Sequence, residues 1–529
     1  MHPLISQPKI DVLVVGSGNA GFSAAIAAAQ AGARRVVLVE KAPEEWAGGN
    51  SYFTAGAFRT IHDGIDDLLP IVNNVDAEIA ELIDMKPYTK DDFRKDMHRI
   101  CSGRSDAALS QALIDESNQA VKWLAKNGIR FQLSFNRQAY KVNGRFKFWG
   151  GLALMTEDGG KGLIADHQSC AERHKVEVYY STAAKRIITC SSGAVTGVMV
   201  ECEGVDTLVT TNAVILAAGG FEANPRMRSQ HLGPNWDVAR VRGTPFNTGE
   251  MLEFAIRDAN AKQAGNWSGC HSTCWDANAP ANSGDRDVSN EFTKSGYPLG
   301  LMINMDGKRF VDEGIDMRNY TYAKFGRAIH EQPEGVAFQV WDQHAIPWLR
   351  DEEYRDERVQ KIWGATLEEL AEKLAAKSGL SNPHQFVETI TEYNEAVYAS
   401  QAENLNTNQW DPAVKDGLST QSSTKKLTLA KSNWALPLDK GPFMAVKVCC
   451  GVTFTFGGLA VNPESTTVIS NSGREVGGLF CVGEMLGGLF YNNYPGGSGL
   501  TSGTVFGRRA GTAAANIVRA RIAVVPPVS

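Results

Sequence analysis

The sequence predicts an α/β protein, and three segments between Val12 and Glu40 predict it. The β-branched run Val12 to Val15 has the composition of a strand buried on both faces of a parallel sheet. The Ala-rich stretch Phe22 to Ala31 predicts a helix, and Arg35 to Val39 predicts a second strand. Glycines fill the turn between the first strand and the helix, as in a Rossmann-type βαβ unit.

The glycines of that turn predict a dinucleotide site. Gly16 allows the tight turn, Gly18 leaves room for a pyrophosphate at the helix N-terminus, and Gly21 allows the helix to pack closely on the strand. Glu40 ends the second strand, where its carboxylate can accept hydrogen bonds from ribose hydroxyls. We expect nucleotide contacts from Gly16, Gly18, Asn19, Ala20, Gly21, Glu40 and Lys41.

Length and charge limit the class of protein. A chain of 529 residues is long enough for two to four domains with sizeable cores. A net charge of -6 without a basic stripe argues against a nucleic-acid partner. No apolar run approaches the roughly eighteen residues needed to cross a bilayer, and no signal peptide is recognisable, so we expect a cytoplasmic protein without a membrane span.

The nine cysteines show no ligand-like repeat, and we expect no metal site. Adjacent Cys449 and Cys450 are expected to be reduced core residues rather than a redox pair. The chain also lacks the cysteine runs that bind haem or iron–sulfur clusters. Electrons would therefore be exchanged with a diffusible donor or acceptor, or with a partner protein.

Further Gly-rich segments predict a second layer of nucleotide contacts. The loop A-G-G-N-S-Y-F-T-A-G offers backbone N–H groups and small polar side chains suited to a pyrophosphate. Ala213 to Gly220 and Gly478 to Glu484 each predict a buried strand that ends at the nucleotide. The expected contacts in these segments are Gly48, Gly49, Asn50, Ser51, Thr54, Gly56, Ala218, Gly219, Gly483 and Glu484.

The ordered set G-x-G-x-x-G…E, G-G-N-S, A-A-G-G and V-G-E resembles the flavoprotein superfamily of succinate dehydrogenase and fumarate reductase, which includes 3-ketosteroid Δ1-dehydrogenases. Within it, V-R-G-T-P-F-N-T-G, N-W-A-L-P-L-D and G-V-T-F-T-F-G-G-L most resemble tricarballylate dehydrogenase-like enzymes. The resemblance implies FAD, bound extended, with its flavin ring near Asn50, Ser51 and a loop that includes Ser498, Gly499 and Leu500. Members that bind FAD covalently use a histidine in the loop matching Gly49 to Gly56, where this chain has none, so we expect non-covalent FAD.

The expected organisation is a discontinuous Rossmann-type FAD-binding domain with an inserted α+β capping domain. Residues 1–230 and 442–529 would form the FAD-binding domain, and residues 231–441 would form the capping, substrate-binding domain. A helical insertion is expected from Asp106 to Asn127, whose apolar residues recur on one face.

Candidates for catalysis come from the interface between the two domains. His271 resembles the first substrate-binding histidine of the family. The segment G-K-R-F-V-D-E-G-I-D-M-R-N-Y-T-Y resembles a family motif that ends in the proton-transferring arginine of fumarate reductases or in a tyrosine of ketosteroid dehydrogenases. Arg318 fits that last position by residue type and Tyr322 fits it by spacing, so both remain candidates. Alternatively, Arg318 is a surface residue paired with Asp316 or Glu313.

Two departures from the reductases weaken the case for fumarate as the substrate. Thr453 to Thr455 stands where the reductases carry a histidine, and N-N-Y-P-G-G lacks their arginine. The Y-P-G segment at Tyr494 instead resembles the ketosteroid dehydrogenase loop, in which a tyrosine hydroxyl and a backbone N–H hold a ketone oxygen. Arg242 is a further candidate for binding a carboxylate, because arginine pairs with carboxylates in a bidentate way.

The resemblance implies an FAD-dependent oxidoreductase that introduces or reduces a C=C bond next to a carboxyl or carbonyl group of a small molecule. A tricarballylate-like polycarboxylate is the substrate class that the sequence favours, and a ketone or enone is the alternative. A flavoprotein whose FAD is structural or serves only electron transfer is the third hypothesis.

Overall fold

The computed structural model describes residues 9–404 and 409–524, which form a mixed structure of helices and sheets. The strands are, in chain order, β1 (Val12–Val15), β2 (Val36–Val39), β3 (Ala57–Phe58), β4 (Ile83–Asp84), β5 (Phe131–Leu133), β6 (Ala139–Val142), β7 (Arg145–Phe148), β8 (Leu154–Thr156), β9 (Glu177–Tyr179), β10 (Thr182–Thr189), β11 (Val195–Cys202), β12 (Val205–Thr210), β13 (Val214–Leu216), β14 (Arg240–Val241), β15 (Gln263–Asp276), β16 (Leu301–Asn304), β17 (Val336–Trp341), β18 (Lys361–Gly364), β19 (Phe443–Leu459), β20 (Thr467–Ile469) and β21 (Glu475–Cys481).

The α-helices are α1 (Asn19–Gln30), α2 (Gly49–Tyr52), α3 (Ile65–Leu68), α4 (Ala77–Glu81), α5 (Lys90–Ile100), α6 (Ala107–Lys126), α7 (Phe135–Gln138), α8 (Gly159–Arg173), α9 (Pro225–Leu232), α10 (Glu250–Asp258), α11 (Phe325–His330), α12 (Asp351–Tyr354), α13 (Leu367–Ser378), α14 (Pro383–Glu403) and α15 (Ser498–Val524). The expected helical insertion is α6, capped by the side chain of Asp106. None of the helices within the described ranges is long and apolar enough to cross a membrane.

A six-stranded sheet combines strands from the first part of the chain with β20 and β21 from residues 467–481, in the order β20-β21-β13-β1-β2-β9. Strand β1 pairs in parallel with both β2 and β13, and β21 continues the parallel set. Every residue of β1 and β2 is buried, which explains their continuous apolar sequence. Because parallel strands end at one edge, the loops after β1, β2, β13 and β21 lie side by side.

A second sheet is organised around the 17-residue strand β19. It contains β14, β19, β17 and β16 in that order, and β15 and β18 also pair with β19. Strand β19 lies beyond residue 442, yet its partners come from residues 240–364. The antiparallel register with β15 sets His271 opposite Phe454, which fixes one wall of the site described below.

Helix α15 joins the two ends of the chain by packing against α1. Its glycines face the first helix: a Cβ on Gly507 would lie 2.7 Å from the Ala20 carbonyl oxygen, and one on Gly511 would lie 2.2 Å from that of Ala24. The side-chain amide of Asn19 donates to the Leu500 carbonyl oxygen at 2.9 Å. The N-termini of both helices are therefore held together at the edge of the parallel sheet.

Candidate functional site

One elongated cavity of about 340 Å³ extends from the ends of β1 and β2 to the aromatic side chains beside β15 and β19. At one end it is lined by Gly16 and Glu40, and at the other by His271, Tyr322 and Tyr494. The cavity thus connects the predicted nucleotide site with the predicted substrate site.

Most of the predicted cofactor contacts line this cavity. They are Gly16, Gly18, Asn19, Ala20, Glu40, Lys41, Gly49, Asn50, Ser51, Thr54, Ala218, Gly219, Gly483, Glu484, Gly499 and Leu500. Four others, Gly21, Gly48, Gly56 and Ser498, are not among the lining residues. A Cβ on Gly48 would lie 2.7 Å from the Ile164 side chain, and one on Gly56 would lie 1.9 Å from Thr156 Oγ1, so the packing of the wall requires both glycines.

The glycines of the turn between β1 and α1 are required for two different reasons. A Cβ on Gly21 would lie 1.9 Å from the Gly16 carbonyl oxygen, so the fold itself excludes any side chain there. Gly18 has an ordinary backbone φ of -73°, and the protein atom nearest to its Cβ position is Ser51 Oγ at 3.5 Å. The protein therefore has room for a methyl group at Gly18, and the open space at this helix N-terminus fits a phosphate ligand.

Glu40 and Lys41 are held by other parts of the chain. The Glu40 carboxylate accepts hydrogen bonds from the Ser17 N–H at 2.8 Å, the Ser17 hydroxyl at 2.7 Å and the Ala42 N–H at 2.8 Å. Lys41 Nζ lies 2.7 Å from a carboxylate oxygen of Glu250. Both side chains are thus fixed in position at the predicted adenosine end of the cavity.

Asn50 connects the middle of the cavity to both sheets. Its amide donates to the carboxylate of Glu222 at 2.5 Å and to the Thr453 carbonyl oxygen, and its Oδ1 accepts from the Thr244 N–H at 2.8 Å. Burial, followed by the neighbouring Glu484 carboxylate, raises the pKa of Glu222 well above its ordinary value. With Glu222 protonated, the neighbouring carboxyl groups of Glu222 and Glu484 do not place two negative charges side by side.

The far end of the cavity is a cluster of rings. The hydroxyls of Tyr322 and Tyr494 lie 2.5 Å apart. The His271 ring stacks on Phe454 at a centroid distance of 5.4 Å and meets the Tyr322 ring edge-on at 4.9 Å. Phe490 packs on Tyr494 at 5.3 Å, which completes an apolar enclosure around two hydroxyl groups.

The titratable groups in this cluster are held in their neutral forms. Burial, with the charge of Arg242 as a second cause, lowers the pKa of His271 well below its ordinary value. Burial also raises the pKa of Tyr322, and burial together with Tyr322 raises that of Tyr494 well above its ordinary value. Neither ring nitrogen of His271 has a hydrogen-bond partner within the described part of the chain.

Arg318 also lines the cavity, but its guanidinium contacts other residues of the cavity wall. It donates to the Arg137 carbonyl oxygen and lies over the rings of Tyr140 and Trp149 at 5.6 and 5.7 Å. The alternative pairing with Asp316 or Glu313 is wrong. Those carboxylates pair instead with Arg99 and Arg309, respectively.

Two further arginines line this end of the cavity and escaped the sequence analysis. Arg137 lies on α7, where it pairs with Glu352 at 3.0 Å, and Arg350 precedes α12, where it pairs with Glu353 at 2.8 Å. Neither belongs to a recognisable motif, and the chain brings them together from positions more than two hundred residues apart. No local signal could have identified them.

Comparison with known proteins identifies the family. The profile of the FAD binding domain family matches residues 11–500, which is nearly the whole chain. The chain belongs to this family. The flavoprotein thus has FAD as its cofactor, and the open phosphate space at Gly18 and the long cavity fit that group. As its homologues indicate, it is an FAD-dependent oxidoreductase.

Several relatives are similar to this chain over most of their length. The flavoprotein is 25% identical over 505 residues to a probable fumarate reductase of Shewanella frigidimarina, covering 95% of this chain and 74% of the relative. It is 25% identical over 606 residues to 4-oxocyclohex-2-ene-1-carboxylate 5-dehydrogenase of Sinomonas cyclohexanicum, covering 98% and 97%. Its fold is shared with 3-ketosteroid Δ1-dehydrogenase from Sterolibacterium denitrificans, with a TM-score of 0.71, 20% identity and coverage of 97% and 100%.

Proposed function

We propose that the flavoprotein introduces or reduces a C=C bond next to a carbonyl group, with Tyr322 as the proton-transfer residue. The pair of buried hydroxyls at the end of the cofactor cavity, 2.5 Å apart, is the observation that carries this proposal. Two such hydroxyls can serve two needs of the reaction: one exchanges a proton with carbon, and the other donates to the carbonyl oxygen.

The proposed cofactor arrangement is extended, non-covalent FAD, with its adenosine near Glu40 and its ring system near Asn50, Ser51 and the N-terminus of α15. Both helix N-termini at this edge of the sheet favour the negative pyrophosphate. We assign the parallel sheet and its helices to the FAD-binding unit, and residues 231–441, completed by β19, to the capping unit. When bound, the flavin exchanges a hydride with a substrate carbon.

The chain's own side chains then control the proton and the charge on oxygen. In the reducing direction the neutral Tyr322 hydroxyl supplies a proton to the carbon next to the carbonyl. In the oxidising direction the hydroxyl first loses its own proton to solvent, and the resulting phenolate removes the proton from that carbon. Tyr494 donates its O–H to the carbonyl oxygen, where negative charge develops as that proton leaves. His271 and Phe454 exclude water from this reacting end, which strengthens both interactions.

The chemistry of the cavity also bears on the substrate class and the electron partner. A tricarballylate-like polycarboxylate is the second candidate substrate, and the arginines at the far end of the cavity favour it. We propose that a diffusible donor or acceptor exchanges electrons with the cofactor, because the sequence has none of the cysteine runs that hold an electron relay.

The test is to follow flavin absorbance anaerobically while the holoenzyme is mixed with cyclohexane ketones, cyclohex-2-enone or tricarballylate. We expect Tyr322→Phe to lose roughly 10²-fold or more of the rate, because it deletes one hydroxyl and keeps the ring. Arg318→Met should stay within a few-fold of the unmodified rate. Tyr320→Phe is the matched control, since the Tyr320 hydroxyl contacts Asp96 outside the cavity.

The variants separate the two assignments of the proton. A loss of rate in Arg318→Met alone would show that Arg318, and not Tyr322, is the proton-transfer residue. An unmodified rate in both variants would exclude both residues and leave Tyr494 as the residue to substitute next. A flavin that no carbonyl or carboxyl compound reduces or reoxidises would overturn the proposed reaction and favour a structural or electron-transfer role for FAD.

A further inference from the structure

We propose that the substrate carries a carboxylate as well as the carbonyl, and that Arg242 binds it. The inference rests on the proposed function, because it places the carbonyl at the two tyrosine hydroxyls. The substrate class is then an oxo acid, with both groups on one small molecule that spans this end of the cavity.

Arg242 is a buried cation that has no charged partner among the described residues. Its residue is only 7% exposed, and its two described side-chain bonds, to Thr453 Oγ1 and Asn290 Oδ1, are both 3.3 Å long. The Nε atom is buried and has no hydrogen-bond partner within the described residues. Bonds of this length to neutral oxygens are weak, so the guanidinium keeps most of its capacity for a bidentate carboxylate.

The charges around Arg242 also favour the binding of an anion. Four guanidinium groups line this end of the cavity, from Arg137, Arg242, Arg318 and Arg350. The carboxylates paired with them are those of Glu352 and Glu353. Holding an excess of positive charge out of water is costly unless an anion completes the site. A ligand carboxylate is the group that completes it.

The backbone places Arg242 on the same wall of the cavity as the tyrosines. Its N–H donates to the Val452 carbonyl oxygen at 2.8 Å, which sets it beside Thr453 and Phe454. Phe454 lies opposite His271 in the sheet register and contacts Tyr494 at a ring-centroid distance of 5.1 Å. Thr453, which Arg242 contacts, and Phe454, which packs on Tyr494, are adjacent residues of β19, so the cation and the hydroxyl pair lie on one wall of the cavity.

The inference is tested by binding to the oxidised holoenzyme, read from perturbation of the flavin spectrum. The probes are 4-oxocyclohexane-1-carboxylate and its methyl ester, which differ in charge and share the ketone. We expect the acid to bind roughly tenfold or more tightly than the ester, on the scale of a hydrogen bond to a charged group. In Arg242→Gln that preference should disappear, while affinity for the ester stays unchanged.

Two variants control the experiment. Arg242→Lys should restore part of the preference for the acid, because it restores the charge without the bidentate geometry. Arg240→Gln removes an arginine two residues away that donates to the Ala279 carbonyl oxygen and does not line the cavity, so it should bind both probes as the unmodified protein does. Flavin content and thermal unfolding are measured on each variant to confirm that it folds.

The outcomes distinguish this inference from the proposed function. Equal affinity for acid and ester in the unmodified protein, or a preference that survives in Arg242→Gln, overturns the carboxylate site, even if both probes reduce the flavin. A preference that Arg242→Gln abolishes supports the site, even if neither probe is oxidised, and in that case only the assigned reaction fails.

Discussion

The two ends of the cavity are built in different ways. At the cofactor end, short contiguous segments supply the wall, and their polar side chains already have partners, as in the three hydrogen bonds of the Glu40 carboxylate. At the far end, the wall is assembled from distant segments, and polar atoms of His271 and Arg242 are left without partners in the described structure. The first end is complete before a ligand binds, whereas the second is completed by its ligand.

This difference explains what each end recognises. A nucleotide is bound largely through backbone N–H groups and helix N-termini, which need glycine and a fixed turn rather than particular side chains. A small oxidisable molecule is recognised by a few side chains whose hydrogen bonds are unsatisfied until it arrives. Substitutions at the cofactor end should therefore impair folding or FAD binding, whereas substitutions at the far end should impair substrate binding.

The largest effect is expected at Gly21, where the fold itself needs glycine. Gly21→Ala would set a methyl carbon 1.9 Å from the Gly16 carbonyl oxygen, and neither backbone segment can move away without separating β1 from α1. We expect the free energy of unfolding in urea to fall by more than about 4 kcal/mol, or no folded protein at all. Gly18→Ala is the matched control and should fold, and equal stability of the two variants would contradict this account.

An intermediate effect is expected at Gly18, where the ligand needs glycine. Gly18→Val has protein space for its first carbon atom, since the nearest protein atom is 3.5 Å away, but its branches would fill the phosphate space. We expect a folded protein with unchanged circular dichroism and little bound FAD after purification. Full flavin occupancy in folded Gly18→Val would show that the pyrophosphate lies elsewhere.

The smallest effect concerns pH and the far end of the cavity. Because burial and Arg242 hold the pKa of His271 well below the ordinary 6.5, its imidazole carries no charge at neutral pH. Flavin reduction by a ketone should therefore show no ionisation of this histidine between about pH 6 and 8. His271→Gln should weaken substrate binding and leave the shape of the profile unchanged. An acidic limb near pH 6.5 that vanishes in His271→Gln would contradict this.

Local structure could largely be predicted from the sequence. Strand β1 has the expected bounds, and α6 (Ala107–Lys126) ends one residue inside the expected Asp106 to Asn127 at each terminus. Helix α1 begins at Asn19, three residues before the expected Phe22, because the last glycine of the turn lies inside the helix although glycine is a poor helix former. Such shifts are small, since hydrophobic pattern and turn chemistry are local properties.

Non-local pairing could not be predicted. The stretch Gly451 to Leu459 resembles a family motif, but nothing in its sequence indicates that it belongs to a 17-residue strand that pairs with four others. Arg137 and Arg350 reach the cavity only through tertiary packing. Spacing along the chain likewise leaves Arg318 and Tyr322 as alternatives, because it does not encode how their side chains are oriented in the cavity.

The packing of α15 on α1 has a consequence for how the protein is made. The first helix, with its glycine turn, is synthesised 481 residues before the Leu500 carbonyl oxygen that receives the Asn19 amide. The nucleotide cleft therefore stays unfinished until the segment around Leu500 has been translated. We expect cofactor loading to follow translation of that segment, and until then the apolar faces of the first βαβ unit must be covered by other parts of the nascent chain or by chaperones.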